Sequence, residues 1–209
     1  AELEIVPAGK ARDCGLDRSM ILAYGQDDRV CAFTSLFAML DVEHTKRTSC
    51  CLLVDKEEVG SMGATGMQSR FFENVVAELV ALNEGESDLK VRHAMERSRM
   101  LSSDVSAGYD PLYAEAFEKR SSAFLSKGLS INKFTGRGGK GGSNDANAEY
   151  LGDLRRIFEE GNVTYQFSEL GKVDVGGGGT IAYIMGNYGM EVIDSGVAVL
   201  NMHAPYEVS

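Results

Sequence analysis

Acidic residues gather at a few points where an apolar run gives way to a turn. In "LLVDKEEVGSMGATG", Leu52 to Gly66, a stretch suited to burial ends in Glu57 and Glu58 side by side and then opens into a glycine-rich turn. Asp27 and Asp28 in "YGQDDRV" precede an amphipathic stretch, Asp104 closes "MLSSDV", and His203 follows "GVAVLNM". Three carboxylate sites and one histidine offer the mixed oxygen and nitrogen donors that suit one or two divalent cations. Carboxylates crowded on one turn repel each other unless a cation lies between them. Two of them can also divide the work, one binding metal and the other moving protons.

Each signal has a plainer reading when taken singly. Paired glutamates after a strand are usually a solvated loop. "DDR" ahead of a helix is usually an N-cap with first-turn charge, and Asp104 can cap whatever follows it. A lone histidine is more often packed or on the surface than a ligand. What favours the chemical reading is joint placement, because in open α/β sheets ligands gather beyond the carboxyl ends of the strands.

The elements that must carry these residues are legible as patterns. "CCLLV" (50–54), "MLSSDV" (100–105), "LSINKF" (129–134), "VTYQFS" (163–168) and "MEVIDSGV" (190–197) read as strands, several apolar enough for burial on both faces. Val30, Phe33, Phe37 and Leu40 line one helical face, as do Phe72, Val76, Leu79 and Val80, and then Leu151, Leu154 and Phe158. Strands alternating with helices predict a layered α/β domain with a mainly parallel sheet.

Composition narrows the function classes. A chain of 209 residues, 44% hydrophobic and 25% charged, suits one globular domain, and no internal repeat is visible. No apolar run approaches the roughly 20 residues of a membrane-spanning helix, and the opening "AELEIVPAGKAR" lacks the apolar centre of a secretory signal. The expectation is a cytoplasmic protein with no membrane partner. Cys14, Cys31, Cys50 and Cys51 show no CxxC spacing and read as small buried hydrophobes. A net charge of −10 opposes binding to phosphate backbones, so no nucleic-acid partner is expected.

One rival reading uses a glycine loop. Gly136, Gly138 and Gly141 in "GRGGKGGS" (136–143) fit G-x-G-x-x-G after a strand, with Glu159, Glu160 or Glu169 downstream as a ribose-binding acid. Two further residues, Gly142 and Ser143, intervene before the helix, so a dinucleotide-binding module is the weaker reading.

"VDKEEVGS", "LSSDVSAGYDPLY", "GGTIAYI" and "VAVLNMHAPYEVS" closely resemble segments of the metallo-aminopeptidases of the aspartyl aminopeptidase and aminopeptidase I family, in order over nearly the whole chain. The resemblance implies a three-layer α/β/α domain of zinc-exopeptidase type with a mixed, mainly parallel sheet. It implies an aminopeptidase acting on peptides with two divalent metal ions, zinc first and cobalt or manganese as alternatives. Carried over by residue, Asp27 bridges both metals, Asp104 binds the first, Glu58 and His203 bind the second, and Glu57 is the general base. Lys172, Gly178, Gly179 and Thr180 would flank the substrate, with Asp174 close by. The wider two-metal exopeptidase group has a cis peptide after the bridging aspartate, which would fall between Asp27 and Asp28. A homo-oligomer is also implied, dimers assembling into a larger, dodecameric particle.

In one respect the chain departs from the family pattern. The family's first histidine ligand lies upstream, before a separate dimerisation domain, and nothing here matches it. His44 and His93 read as non-ligands in charged segments. Residues 1–209 are therefore expected to form the later part of a catalytic domain, with the upstream histidine segment, the dimerisation domain and the C-terminal end absent. A catalytically silent subunit of the same fold is the remaining alternative.

Overall fold

The computed structural model describes residues 1, 3–138, 141–172, 174 and 177–209. In chain order the strands and α-helices are β1 (Arg12–Cys14), β2 (Met20–Ala23), α1 (Gln26–Leu40), α2 (Phe71–Glu84), α3 (Asp88–Glu96), β3 (Arg99–Ser103), β4 (Ser106–Ala107) and β5 (Leu129–Asn132). There follow β6 (Phe134–Arg137), β7 (Gly141–Asp145), α4 (Ala148–Glu160), β8 (Tyr165–Ser168), α5 (Ala182–Gly186), β9 (Glu191–Gly196), β10 (Ala198–Val199) and β11 (Glu207–Val208).

The central sheet has the order β3-β9-β5-β8. The β3/β9 and β5/β8 pairs are parallel and β5/β9 is antiparallel, so the sheet is mixed with a parallel majority. Side chains alternate across a strand, and β9 shows what each face meets. Val192 joins Met95 of α3, Met185 of α5 and Met100, with Phe72 and Val76 of α2 packed against them. Its neighbour Ile193 joins Ile131 of β5 with Tyr150 and Leu154 of α4. Helices thus cover both faces, the three-layer α/β/α arrangement. Full burial of each such side chain contributes about 1.5–3 kcal/mol.

Helix α4 forms where the Leu151, Leu154 and Phe158 stripe predicts it. Its first turn is capped by the Asn147 side chain, which accepts from the Glu149 N–H at 2.7 Å. Three smaller pieces surround the sheet: an antiparallel trio β1-β2-β11, a parallel pair β4-β10, and an antiparallel hairpin β6-β7.

Several expectations need correction. "CCLLV" joins no ladder among the described residues; residues 48–58 and the edge strand β3 line a cavity of about 970 Å³. Leu52 and Val54 pack instead on the cluster around Val192. Helix α1 forms, yet Phe33 and Leu40 of its predicted apolar stripe are 60% and 68% exposed, since no described element covers them. The run 129–134 is two strands, with Phe134 already in β6. The glycine pattern 136–141 falls in the β6-β7 hairpin, where Gly141 begins a strand, and the next helix starts only at Ala148. That context removes the strand–turn–helix geometry a dinucleotide pyrophosphate needs. Gly139 and Lys140 of that loop, and Gly176 of the second glycine run, lie outside the described residues.

Candidate metal centre

Four separate stretches of backbone deliver the acids and the histidine to one place. Asp27 and Asp28 stand between β2 and the regular part of α1, and neither has helical backbone angles. The peptide bond joining them is cis. Glu57 and Glu58 occupy a single 3-10 turn, Glu57–Val59, closed by the Gly60 N–H on the Glu57 carbonyl at 2.9 Å and the Ser61 N–H on Lys56 at 2.7 Å. The glycines after it have a purpose: a Cβ at Gly66 would sit 2.2 Å from the Ser61 carbonyl oxygen, so only glycine lets the loop fold back this tightly.

Asp104 and His203 are brought together by paired strands. Asp104 follows β3 and precedes β4, while His203 follows β10, and β4 and β10 are hydrogen-bonded neighbours. The Asp104 N–H donates to the Ser195 carbonyl at 3.2 Å. Gly196 permits that approach, because a Cβ there would be 1.7 Å from the Asp104 carbonyl oxygen.

The side chains converge on two adjoining groups. His203 Nε2 lies 2.8 Å from Asp27 Oδ2 and 2.8 Å from Glu58 Oε1. Ligand atoms of Asp27, Glu58 and His203 all lie within 4.8 Å of one another, as do those of Asp27, Asp28 and Asp104. Asp27 is common to both. His44 and His93 belong to neither group.

Electrostatics marks the same residues. Burial raises the Asp27 carboxyl above the usual carboxylate range against the opposing pull of His203, and burial likewise raises Glu57, helped by the charges of Glu58 and Asp27. Burial lifts Asp28 to about 6 and, with Asp28, Asp27 and Glu57 nearby, lifts Asp104 to about 8. One Asp28 oxygen, Oδ1, is buried with no hydrogen-bond partner. Four acids held above their normal range by burial and by one another form a site that favours positive charge, whether from protons or from a cation.

The donor set fits divalent metals. Two carboxylates and an imidazole are the three-ligand complement of a catalytic zinc, and bonds of about 2.0–2.2 Å in tetrahedral geometry place ligand atoms about 3.4 Å apart. The contacts at 2.8 Å around His203 Nε2 need only slight opening to admit such an ion. The group Asp27, Asp28 and Asp104 offers oxygen alone.

Of the residues expected beside the substrate, none lines the 970 Å³ cavity that borders Asp27, Asp28, Glu57, Glu58 and Asp104. Lys172 and Gly179 are exposed, and the Gly178 carbonyl accepts the Gly136 N–H at 3.0 Å. Thr180 is buried, and its hydroxyl donates to Asp194 and accepts the Ala182 N–H. One residue of the centre escapes a reading of sequence alone: Glu207 carries no motif, although it is 2% exposed and contacts the backbone of both Asp27 and His203.

Comparison with known proteins points the same way. The family described as aminopeptidase I zinc metalloprotease (M18) matches residues 1–209. A probable M18 family aminopeptidase 1 of Clostridium acetobutylicum is 63% identical over 209 residues, covering 100% of this chain and 45% of that protein. A crystal structure of aminopeptidase I from Clostridium acetobutylicum superposes with a TM-score of 0.89 at 61% identity, over 98% of this chain and 44% of the other. An M18 family aminopeptidase from Thermotoga maritima gives a TM-score of 0.92 at 40% identity, over 98% and 45%. The chain therefore spans somewhat less than half the length of these relatives.

Proposed function

This chain belongs to the aminopeptidase I zinc metalloprotease (M18) family, and from that premise we propose that it carries most of the catalytic centre of a metal-dependent aminopeptidase that hydrolyses the N-terminal residue of peptides. The observation that carries the proposal is the meeting of His203 with Asp27 and Glu58, three side chains from separate elements, with Glu57 on the same turn as Glu58.

In this reading Asp27, Glu58 and His203 hold one divalent ion and Asp27 and Asp104 hold part of the shell of a second, zinc being the family's metal. Such ions, when bound, supply Lewis-acid activation of water and of the scissile carbonyl. Glu57 takes the proton from the attacking water and passes it to the leaving amine. Its half-buried carboxyl, raised by burial and by Glu58, is suited to hold that proton between the two transfers. The surplus of carboxylates favours a substrate that brings a free α-amino group, which is what distinguishes the first residue of a peptide from all others.

Lys172, Gly178, Gly179 and Thr180 belong to the proposal as a loop flanking the substrate, Thr180 through its backbone because its hydroxyl is engaged by Asp194. A histidine for the ion at Asp104 would come from outside these residues, and the cavity between residues 48–58 and β3 is where a further segment of a full-length polypeptide can reach Asp104. Assembly into a homo-oligomer rests on the family resemblance.

The test is a panel of aminoacyl reporter substrates offered to the full-length protein with zinc, cobalt or manganese, each beside its N-acetylated counterpart. Cleavage of free-amine reporters alone is expected. Absence of cleavage with every metal would leave the catalytically silent subunit as the better description.

A further inference from the structure

Glu207 is an almost fully buried acid, 2% exposed, on the two-residue strand β11. Its two carboxylate oxygens have different partners: Oε2 accepts the Asp27 N–H at 2.8 Å, and Oε1 accepts the His203 N–H at 2.9 Å. Those N–H groups belong to the two residues whose side chains meet at 2.8 Å in the candidate metal centre. The Glu207 backbone is anchored as well. Glu207 pairs with Ala23 of β2, and its carbonyl accepts the Gln26 side-chain amide at 2.7 Å.

We propose that Glu207 is a positioning residue of the metal centre, a buried carboxylate that fixes the separation of Asp27 and His203 by accepting a backbone N–H from each. The proposal rests on the assignment of Asp27 and His203 as ligands of one ion. Neither ligand sits in a regular element that could place it otherwise. Asp27 has non-helical backbone angles, and His203 has φ of +66°, a left-handed conformation uncommon for residues other than glycine. An ionised carboxylate accepts at both oxygens and donates at neither, so it can satisfy two N–H groups at once. Glutamine would present one oxygen and one NH2, setting a donor against a donor. Aspartate keeps the charge but is one methylene shorter. Burying an acid costs heavily unless it is hydrogen-bonded, and among the described residues the Glu207 carboxylate is hydrogen-bonded by the N–H groups of the two ligand residues alone.

The experiment is cobalt(II) titration of the chelator-treated full-length protein, following the visible absorption of the bound ion, with circular dichroism to verify folding. Outer residues that orient metal ligands are worth about 10- to 100-fold in affinity, so Glu207→Gln is expected to weaken cobalt binding by that factor and to alter its spectrum. Glu207→Asp should fall between, and it serves as the readout if Glu207→Gln does not fold. Asn144→Ala, which removes a 2.9 Å side-chain bond to the Val192 carbonyl in the sheet, should lower the melting temperature and leave affinity and spectrum unchanged. Wild-type affinity and spectrum in the folded Glu207 variant, or an equal loss in Asn144→Ala, would overturn the positioning role. A wild-type protein that bound no cobalt would overturn the metal assignment first, and the positioning role with it.

Discussion

The imidazole Nε2 of His203 lies 2.8 Å from Oδ2 of Asp27, although the two residues stand near opposite ends of the sequence. The contact is built by the β1-β2-β11 sheet, which sets the chain before Asp27 beside the strand that follows His203. The same Nε2 lies 2.8 Å from Glu58 Oε1, so the three side chains meet at one point, where the proposed centre would hold an ion.

The two glutamates of the 3-10 turn should separate by variant. Glu57→Gln in the full-length protein is expected to keep its metal and fold while losing about 10²- to 10⁴-fold in turnover, the usual contribution of a general acid/base. Glu58→Gln should lower metal content instead. Metal analysis and kcat on both proteins check the assignment, and the opposite pattern would exchange the two roles.

The metal-free protein should lose stability as pH rises. Burial, with Asp28 and Asp27 nearby, pushes Asp104 up to about 8, and burial pushes Asp28 up to about 6, from an ordinary 3.8, so the folded state binds more protons than the unfolded state between those limits. Their stabilising effect is full below about pH 4 and is lost as pH climbs through 6 and then 8. Thermal melts of the metal-free protein from pH 5 to 9 should fall, and a saturating divalent ion should remove most of the slope. A flat or rising profile without metal would contradict the burial and crowding of these acids.

The close approach at Gly196 should be intolerant of a methyl group. Gly196→Ala places a Cβ on the Asp104 carbonyl oxygen, and relief requires moving either β9 or the Asp104 backbone. Overpacking of this kind costs about 1–3 kcal/mol. The melting temperature should drop, and metal affinity should drop with it, as chemical denaturation and cobalt titration would record.

Much of the fold follows from pattern, and the exceptions have physical causes. Strands β3, β5, β8 and β9 and helix α4 are legible because their apolar periods match what they bury, as Ile131, Ile193 and Leu154 show. The antiparallel β5/β9 pairing is not, since residue pattern does not set strand direction when both faces are buried. "CCLLV" looks like a strand yet joins no ladder among the described residues, because a ladder depends on a neighbour the run itself does not encode. At the centre, Asp27, Glu57, Glu58, Asp104 and His203 can be picked out as acids and a histidine at element ends. Glu207 cannot, because its partners are backbone N–H groups whose positions exist only after folding.

The most direct test of the account is metal content after dialysis against a mild chelator, measured by elemental analysis on the 209-residue chain, the full-length protein and its His203→Ala variant. In the proposed centre Asp27, Glu58 and His203 would supply three ligands to one ion, whereas the described residues would give an ion at Asp104 oxygen ligands alone. The poorer site is further emptied by repulsion between two cations about 3.5–4 Å apart. The account predicts at most one retained ion per 209-residue chain, two per full-length chain, and loss of an ion in His203→Ala. Two ions retained by the 209-residue chain, or metal content unchanged by His203→Ala, would contradict it.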